Sequence, residues 1–164
     1  MEKDCCFTEG SNWFRYRAAA IIIEEGCVLV AGNEVANYYY SIGGGVQLGE
    51  TAEQAVVREV FEETGVHYDI DRLAFIHENF FPGDGTIEGF SCHEIAFYFL
   101  MTPRGKKQLN STGYCTEGKE EVYWIPIDEL AKHAVFPTFY AEKLRDLPQV
   151  VEHIVTKEVD TIEF

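Results

Sequence analysis

Residues 44–66, GGVQLGETAEQAVVREVFEETGV, constrain the fold of this chain more than any other stretch. Thr51 and Gln54 have the spacing of a capping box, so we predict that a helix begins at Thr51. Gly65 is typical of the residue that follows a helix, which gives the helix a length of about four turns. The sequence therefore predicts one short helix directly after a glycine-rich strand end.

This predicted helix has a hydrophobic side and an acidic side. On a helical wheel the core side is expected to carry Val57, Val60, Phe61 and Thr64. The two small residues Ala52 and Ala55 fall on the acidic side, where they would leave room for a ligand or a closely packed loop.

The acidic side is formed by glutamates that surround a single arginine. Glu59, Glu62 and Glu63 are spaced i, i+3 and i+4, so their carboxylates share one face of the helix. Like charges at this spacing destabilise a helix unless a cation lies among them. Ligands that offer only oxygen suit Mg²⁺ or Mn²⁺ better than zinc. The pattern therefore predicts a site for a hard divalent cation.

The composition limits the classes of partner. A chain of 164 residues with 46% hydrophobic residues is long enough to form one domain with a sizeable core. The net charge of −15 argues against a nucleic-acid or anionic membrane surface. No apolar run approaches the roughly 18 residues that span a bilayer. An anionic small molecule would need a local cation, which the glutamate helix is suited to hold.

The cysteines indicate a reducing compartment. There are five, an odd number, and none has the C-x-x-C spacing. The polar beginning of the chain does not resemble a secretory leader. We therefore expect reduced thiols and a cytoplasmic protein.

Strand and helix patterns alternate along the chain and predict an α/β (α+β) fold in a single domain over residues 1–164. Residues 1–12 are expected to be an N-terminal extension, and residues 134–164 a C-terminal helix and tail. The polar residues 103–120 are predicted to form a loop. Residues 150–155 fit a helix or a strand.

The run quoted above matches the pattern G-x5-E-x7-R-E-U-x-E-E-x-G-U, with U aliphatic, at every fixed position. This chain therefore resembles the Nudix hydrolases. The resemblance implies an α/β/α sandwich around a mixed β-sheet. It also implies Mg²⁺-dependent cleavage of the diphosphate bond in a nucleoside diphosphate linked to another group, with Mn²⁺ as a substitute.

The resemblance assigns roles to individual residues of the box. The implied metal ligands are the main-chain carbonyl of Gly44 and the carboxylates of Glu59, Glu62 and Glu63. Glu50 and Arg58 would pair behind the site. Glu59, Glu62 and Arg58 are also expected to contribute to catalysis.

The sequence does not identify which residue is the general base, because Nudix enzymes differ in where this residue lies. Some use a glutamate of the box and others a glutamate from a later loop. Glu121, three residues before Trp124, resembles that later acid, and Glu120 and Glu117 compete with it.

The expected substrate contacts are Arg17, Phe80 and Phe81. The arginine could meet phosphates or lie on the surface, and the aromatic rings could stack on a base or fill the core. Pro82 lies sixteen residues after Val66, a spacing similar to that of the family's ADP-ribose-cleaving members. The leading substrate class that the resemblance implies is an NDP-sugar or an ADP-ribose-like compound.

Two alternative functions also fit the sequence. One is a nucleoside triphosphate pyrophosphohydrolase, and the other is a catalytically inactive Nudix-fold nucleotide-binding or regulatory module. Because Nudix relatives are often dimers, a homodimer is also open.

Overall fold

The computed structural model describes residues 2–33, 37–110, 114–115 and 118–158. The strands within these residues are β1 (Cys6–Glu9), β2 (Asn12–Ile21), β3 (Ile23–Glu24), β4 (Cys27–Asn33), β5 (Tyr39–Gly45), β6 (Ile70–Pro82), β7 (Ser91–Met101), β8 (Tyr114–Cys115), β9 (Gly118–Pro126), β10 (Val135–Phe136) and β11 (Glu152–Lys157). The helices are α1 (Ala52–Thr64) and α2 (Tyr140–Lys143), with 3-10 turns at Gly85–Ile87 and Ile127–Lys132.

The strands form one mixed sheet in the order β11-β6-β7-β2-β5-β4-β9-β8, in which β1 also pairs with β2, β3 with β4 and β10 with β5. Strand β2 is central, parallel to β7 and antiparallel to β5. The mixed α/β architecture confirms the predicted fold class. Residues 150–155, which fitted a helix or a strand, include most of strand β11, which pairs parallel to β6.

The core lies on both faces of the sheet, because the buried side chains of each strand alternate between them. One cluster packs under α1 and includes Ala18, Ile42 and Val56. The other packs under α2 and the preceding 3-10 turn, and includes Phe75 and Tyr140. Helical segments on both faces complete the expected sandwich.

Helix α1 begins and ends where the sequence predicts. The Thr51 hydroxyl accepts from the backbone N–H of Gln54, and the Gln54 side chain accepts from the backbone N–H of Thr51. Gly65 has φ 70°, a left-handed conformation that glycine adopts without steric cost. Local interactions therefore fix both ends of this helix.

The predicted core side of α1 was partly wrong. Phe61 is 46% exposed and stacks on the ring of His67, with ring centroids 4.6 Å apart. Ala52 and Ala55 are buried instead. Strand β5, on which the helix packs, is rich in glycine, so the helix comes close enough for alanine to fill the interface.

The predicted polar loop over residues 103–120 was also partly wrong. Strand β8 lies within it, and β9 begins at Gly118. Among the described residues, no helix is long and apolar enough to cross a membrane.

Candidate active site

Strand β5 ends in three glycines, and the helix carboxylates lie against them. A Cβ on Gly44 would lie 2.5–2.6 Å from the carboxylate atoms of Glu59. The backbone N–H of Gly43 donates to Oε2 of Glu63 at 3.0 Å. Gly43 has φ 146°, a backbone conformation that would be strained in a residue with a side chain. The glycines therefore admit two of the predicted metal-binding carboxylates to the strand backbone.

Arg58 connects the box residues. Its Nε and Nη2 donate to the two carboxylate oxygens of Glu50 at 2.8 and 3.0 Å. Nη1 donates to Glu59 at 2.6 Å and, more weakly, to Glu62 at 3.4 Å. Nη2 also donates to the carbonyl of Gly45 at 3.1 Å. One guanidinium therefore joins the helix, the loop and the end of strand β5, as the resemblance implies for the Glu50 pair.

The carboxylates have different electrostatic environments. Hydrogen bonds from Arg58 hold the pKa of Glu50 below its ordinary value, so Glu50 is a stable anion. Burial raises the pKa of Glu59, although Arg58 opposes the shift. The Glu62 side chain is 55% exposed and is the most accessible of the Arg58-bonded carboxylates.

The donor set fits a hard divalent cation. The side chains of the box offer carboxylate oxygens, and Gly44 leaves its own backbone open to the Glu59 carboxylate. Within the described part of the chain, no three metal-ligating side chains converge on one point. Nη1 of Arg58 contacts both Glu59 and Glu62.

Arg17 lies on the face of the sheet opposite helix α1, since the neighbouring Ala18 packs under that helix. Arg17 is buried, with 7% of its surface exposed. Its Nη1 and Nη2 donate to the hydroxyl and the carbonyl of Ser41, each at 2.8 Å. Burial lowers the pKa of Arg17, but Tyr98, Glu94 and Glu63 raise it by more. Arg17 therefore interacts electrostatically with the box carboxylate of Glu63 on the other side of the glycines. The interpretation of this arginine as a surface residue was wrong.

Glu94 is a buried charge that the sequence did not single out as a functional residue. Its Oε2 accepts from Nε of Arg15 at 2.9 Å and also from Nη2 of the same guanidinium. Burial alone would raise the pKa of Glu94, but Arg15 and Arg17 hold it below the ordinary value. Strand alternation was the only sequence signal, since it sends Cys92 and Glu94 to one face and His93 to the other.

The two predicted aromatic contacts lie apart from the box carboxylates. Phe80 stacks on His93 with ring centroids 4.4 Å apart, and Phe81 pairs with Cys92 in the next register position. Phe80 lies three strands across the sheet and four residues along it from Gly44, a separation of roughly 20 Å. The structure does not bring these rings to the carboxylates.

Glu121 also lies apart from the box. It pairs with Gly32, level with the beginning of β5, whereas Gly44 is near the end of that strand. Glu121 lies two strands across the sheet and five residues along it from Gly44, a separation of roughly 20 Å. Its Oε2 accepts from the hydroxyl of Tyr123 at 2.7 Å. Glu120 adjoins it on β9, and Glu117 lies outside the described residues.

An open groove of about 910 Å³ runs along the outer side of α1. Its lining residues are Thr51, Glu53, Gln54, Val57, Arg58, Phe61, Glu62, His67 and Ile70. The groove places a largely apolar surface directly beside Glu62 and Arg58.

The sequence matches a known family model over most of its length. The model is described as the NUDIX domain and matches residues 13–147. A MutT-like protein of Streptomyces ambofaciens is 30% identical over 129 residues, which cover 78% of this chain and 73% of that protein. A putative mutator protein MutT4 of Mycobacterium tuberculosis is 31% identical over 114 residues, 70% of this chain but 41% of that longer protein.

Solved structures share the fold. The MutT protein of Bacillus halodurans superposes with a TM-score of 0.65 at 19% identity, covering 88% of this chain and 91% of that one. A MutT Nudix hydrolase of Burkholderia pseudomallei gives 0.61 at 21% identity, with coverages of 80% and 98%.

The fold and the carboxylate-lined glycine strand, taken with these matches, define a pyrophosphohydrolase. The chain belongs to the Nudix hydrolase family.

Proposed function

We propose that this protein is a Mg²⁺-dependent hydrolase that cleaves the diphosphate bond of a small, soluble nucleoside diphosphate linked to another moiety. The packing of Glu59 and Glu63 against the glycines of β5 is the observation that supports it. The residues that would hold the ion are Gly44, through its carbonyl, and Glu59, Glu62 and Glu63. A divalent cation there would offset phosphate charge and polarise a phosphoryl oxygen.

The protein's own groups supply the rest of the reaction. A water molecule attacks phosphorus, the bridging P–O bond breaks, and each product leaves with a phosphate. We assign the role of general base to Glu62, which would accept a proton from that water. Its carboxylate is exposed and only weakly bonded to Arg58. Arg58 orients the box carboxylates through its four hydrogen-bonded partners.

The two candidate functions differ in the group that is attached to the nucleotide. The complete box supports a nucleoside diphosphate linked to another moiety such as a sugar, and the spacing of Pro82 supports an ADP-ribose-like compound. The names of the matched relatives, MutT-like and mutator, support the second candidate, a nucleoside triphosphate pyrophosphohydrolase. A catalytically inactive module is disfavoured because every fixed residue of the box is present.

The composition supports the proposed cellular context. The net charge of −15 supports a small nucleotide partner rather than a nucleic acid. Cys5, Cys6, Cys27 and Cys92 are free thiols in the structure, which supports a cytoplasmic location. A homodimer remains part of the proposal, to be checked by sedimentation.

A substrate panel tests the proposal. NDP-sugars, ADP-ribose, dinucleoside polyphosphates and ordinary and oxidised nucleoside triphosphates are assayed with Mg²⁺, with Mn²⁺ and with chelator. We expect release of a nucleoside monophosphate from one diphosphate-linked class, and no release with chelator. A preference for triphosphates, with pyrophosphate as the product, would select the second candidate. Metal-independent turnover would contradict the proposed site.

A further inference from the structure

A short segment at the beginning of the chain is bonded to the loop that follows the glycine strand. The N–H of Cys5 donates to the carbonyl of Val46 at 2.8 Å, and the N–H of Leu48 donates to the carbonyl of Lys3 at 2.7 Å. An isolated antiparallel bridge joins Asp4 and Gln47 between them. Residues 3–5 therefore pair with the loop, although they precede the region 13–147 that matches the family model.

Asp4 fills the space beside the last glycine of the strand. A Cβ on Gly45 would lie 2.5 Å from Oδ2 and 2.7 Å from Cγ of Asp4. The neighbouring Gly44 receives the carboxylate of Glu59 in the same manner. Successive residues of a strand face opposite sides of the sheet, so two adjacent glycines each admit one carboxylate, from opposite sides.

The loop that pairs with this N-terminal segment also makes hydrogen bonds to the box residues Glu50 and Arg58. The carbonyl of Gly45 accepts from Arg58 at 3.1 Å. The N–H of Gln47 donates to Glu50 at 3.0 Å, and Glu50 in turn accepts from Arg58. A shift of the loop would therefore move the Arg58 network and the Gly44 carbonyl together.

We propose that residues 3–5 position the catalytic loop, residues 44–50, and that Asp4 is a positioning residue for the hydrolase through its packing on Gly45. The inference rests on the site proposed above. It assigns a role in turnover to a segment outside the matched domain.

A double-mutant cycle tests the contact. We expect Gly45→Ala to lower kcat by about tenfold or more, because displacement of a catalytic group by an ångström is costly. Asp4→Ala removes the obstructing carboxylate and should itself lower kcat by about threefold with KM unchanged. In the Asp4→Ala background, Gly45→Ala should cost less than about twofold, since residues in contact are not additive.

Gly44→Ala is the matched control, because its Cβ would meet Glu59 rather than Asp4. Its loss of activity should be the same with and without Asp4→Ala. The apparent affinity for Mn²⁺, measured by electron paramagnetic resonance, should fall in Gly45→Ala and recover in the double variant. Thermal unfolding of each variant shows whether it is folded at the assay temperature.

Equal costs of Gly45→Ala in the two backgrounds would overturn the proposal, as would full activity of either single variant. Full activity of both Glu62→Gln and Glu63→Gln would instead refute the site itself. The two failures are therefore distinguishable.

Discussion

The guanidinium of Arg58 binds both carboxylate oxygens of Glu50 across eight residues of sequence. This two-point contact joins the middle of helix α1 to the end of the catalytic loop. A lysine offers a single ammonium group and cannot reproduce the planar pair of bonds.

Arg58→Lys is therefore expected to lower kcat by about tenfold or more, because the loop loses its fixed orientation. Steady-state kinetics on the substrate found in the panel measures the effect. Arg145→Lys is the control, since that side chain is 54% exposed and its nearest carboxylate contact, to Asp128, is 3.9 Å. Equal kinetics for Arg58→Lys and wild type would show that the two-point contact has no part in turnover.

Glu62→Gln is expected to reduce kcat at least about 100-fold, the range lost when a positioned acid–base group is removed. Glu63→Gln should also abolish activity if its carboxylate is a metal ligand. Glu53→Gln serves as the comparison, because Glu53 lies exposed in the first turn of the same helix. All three variants should unfold at the wild-type temperature, and full activity in both Glu62→Gln and Glu63→Gln would remove these carboxylates from the site.

Glu121→Gln is expected to leave kcat within about threefold of wild type, since strand register places Glu121 roughly 20 Å from Gly44. The assay is the same, run at saturating metal. A 100-fold fall with unchanged metal affinity would reverse the assignment and make Glu121 the base.

His77 should make the protein less stable in mild acid. It is 2% exposed, its Nε2 lies 2.8 Å from the hydroxyl of Thr156, and burial lowers its pKa from 6.5 to about 4. Between these two values the unfolded chain binds a proton that the folded protein does not, so stability falls as the pH drops below 6.5. At pH 5 the loss is about 2 kcal/mol relative to pH 7.5.

Urea unfolding at pH 7.5 and pH 5 measures this loss. The variant His77→Gln should show a decrease between the two pH values that is smaller by about 2 kcal/mol. An equal decrease in wild type and variant would assign the acid sensitivity to other groups.

The sequence predicted helix α1 and its acidic face well, and the reason is local. The bonds that cap the helix at Thr51 join residues three apart, and the left-handed Gly65 follows its last turn directly. The i, i+3 and i+4 spacing of Glu59, Glu62 and Glu63 is a property of any helix. The fixed positions of the box, which identify the family, lie in the same 23 residues.

The tertiary structure alone decided which distant groups meet. Arg15 contacts Glu94, 79 residues away in sequence, because β2 and β7 are parallel neighbours. The local sequence pattern does not specify which strands pair. Strand pairing also buries Arg17 and places Glu121 and Phe80 far from the carboxylates. The N-terminal pairing that packs Asp4 on Gly45 is also non-local. The sequence by itself therefore determined the helix and its carboxylates, while strand register determined what surrounds them.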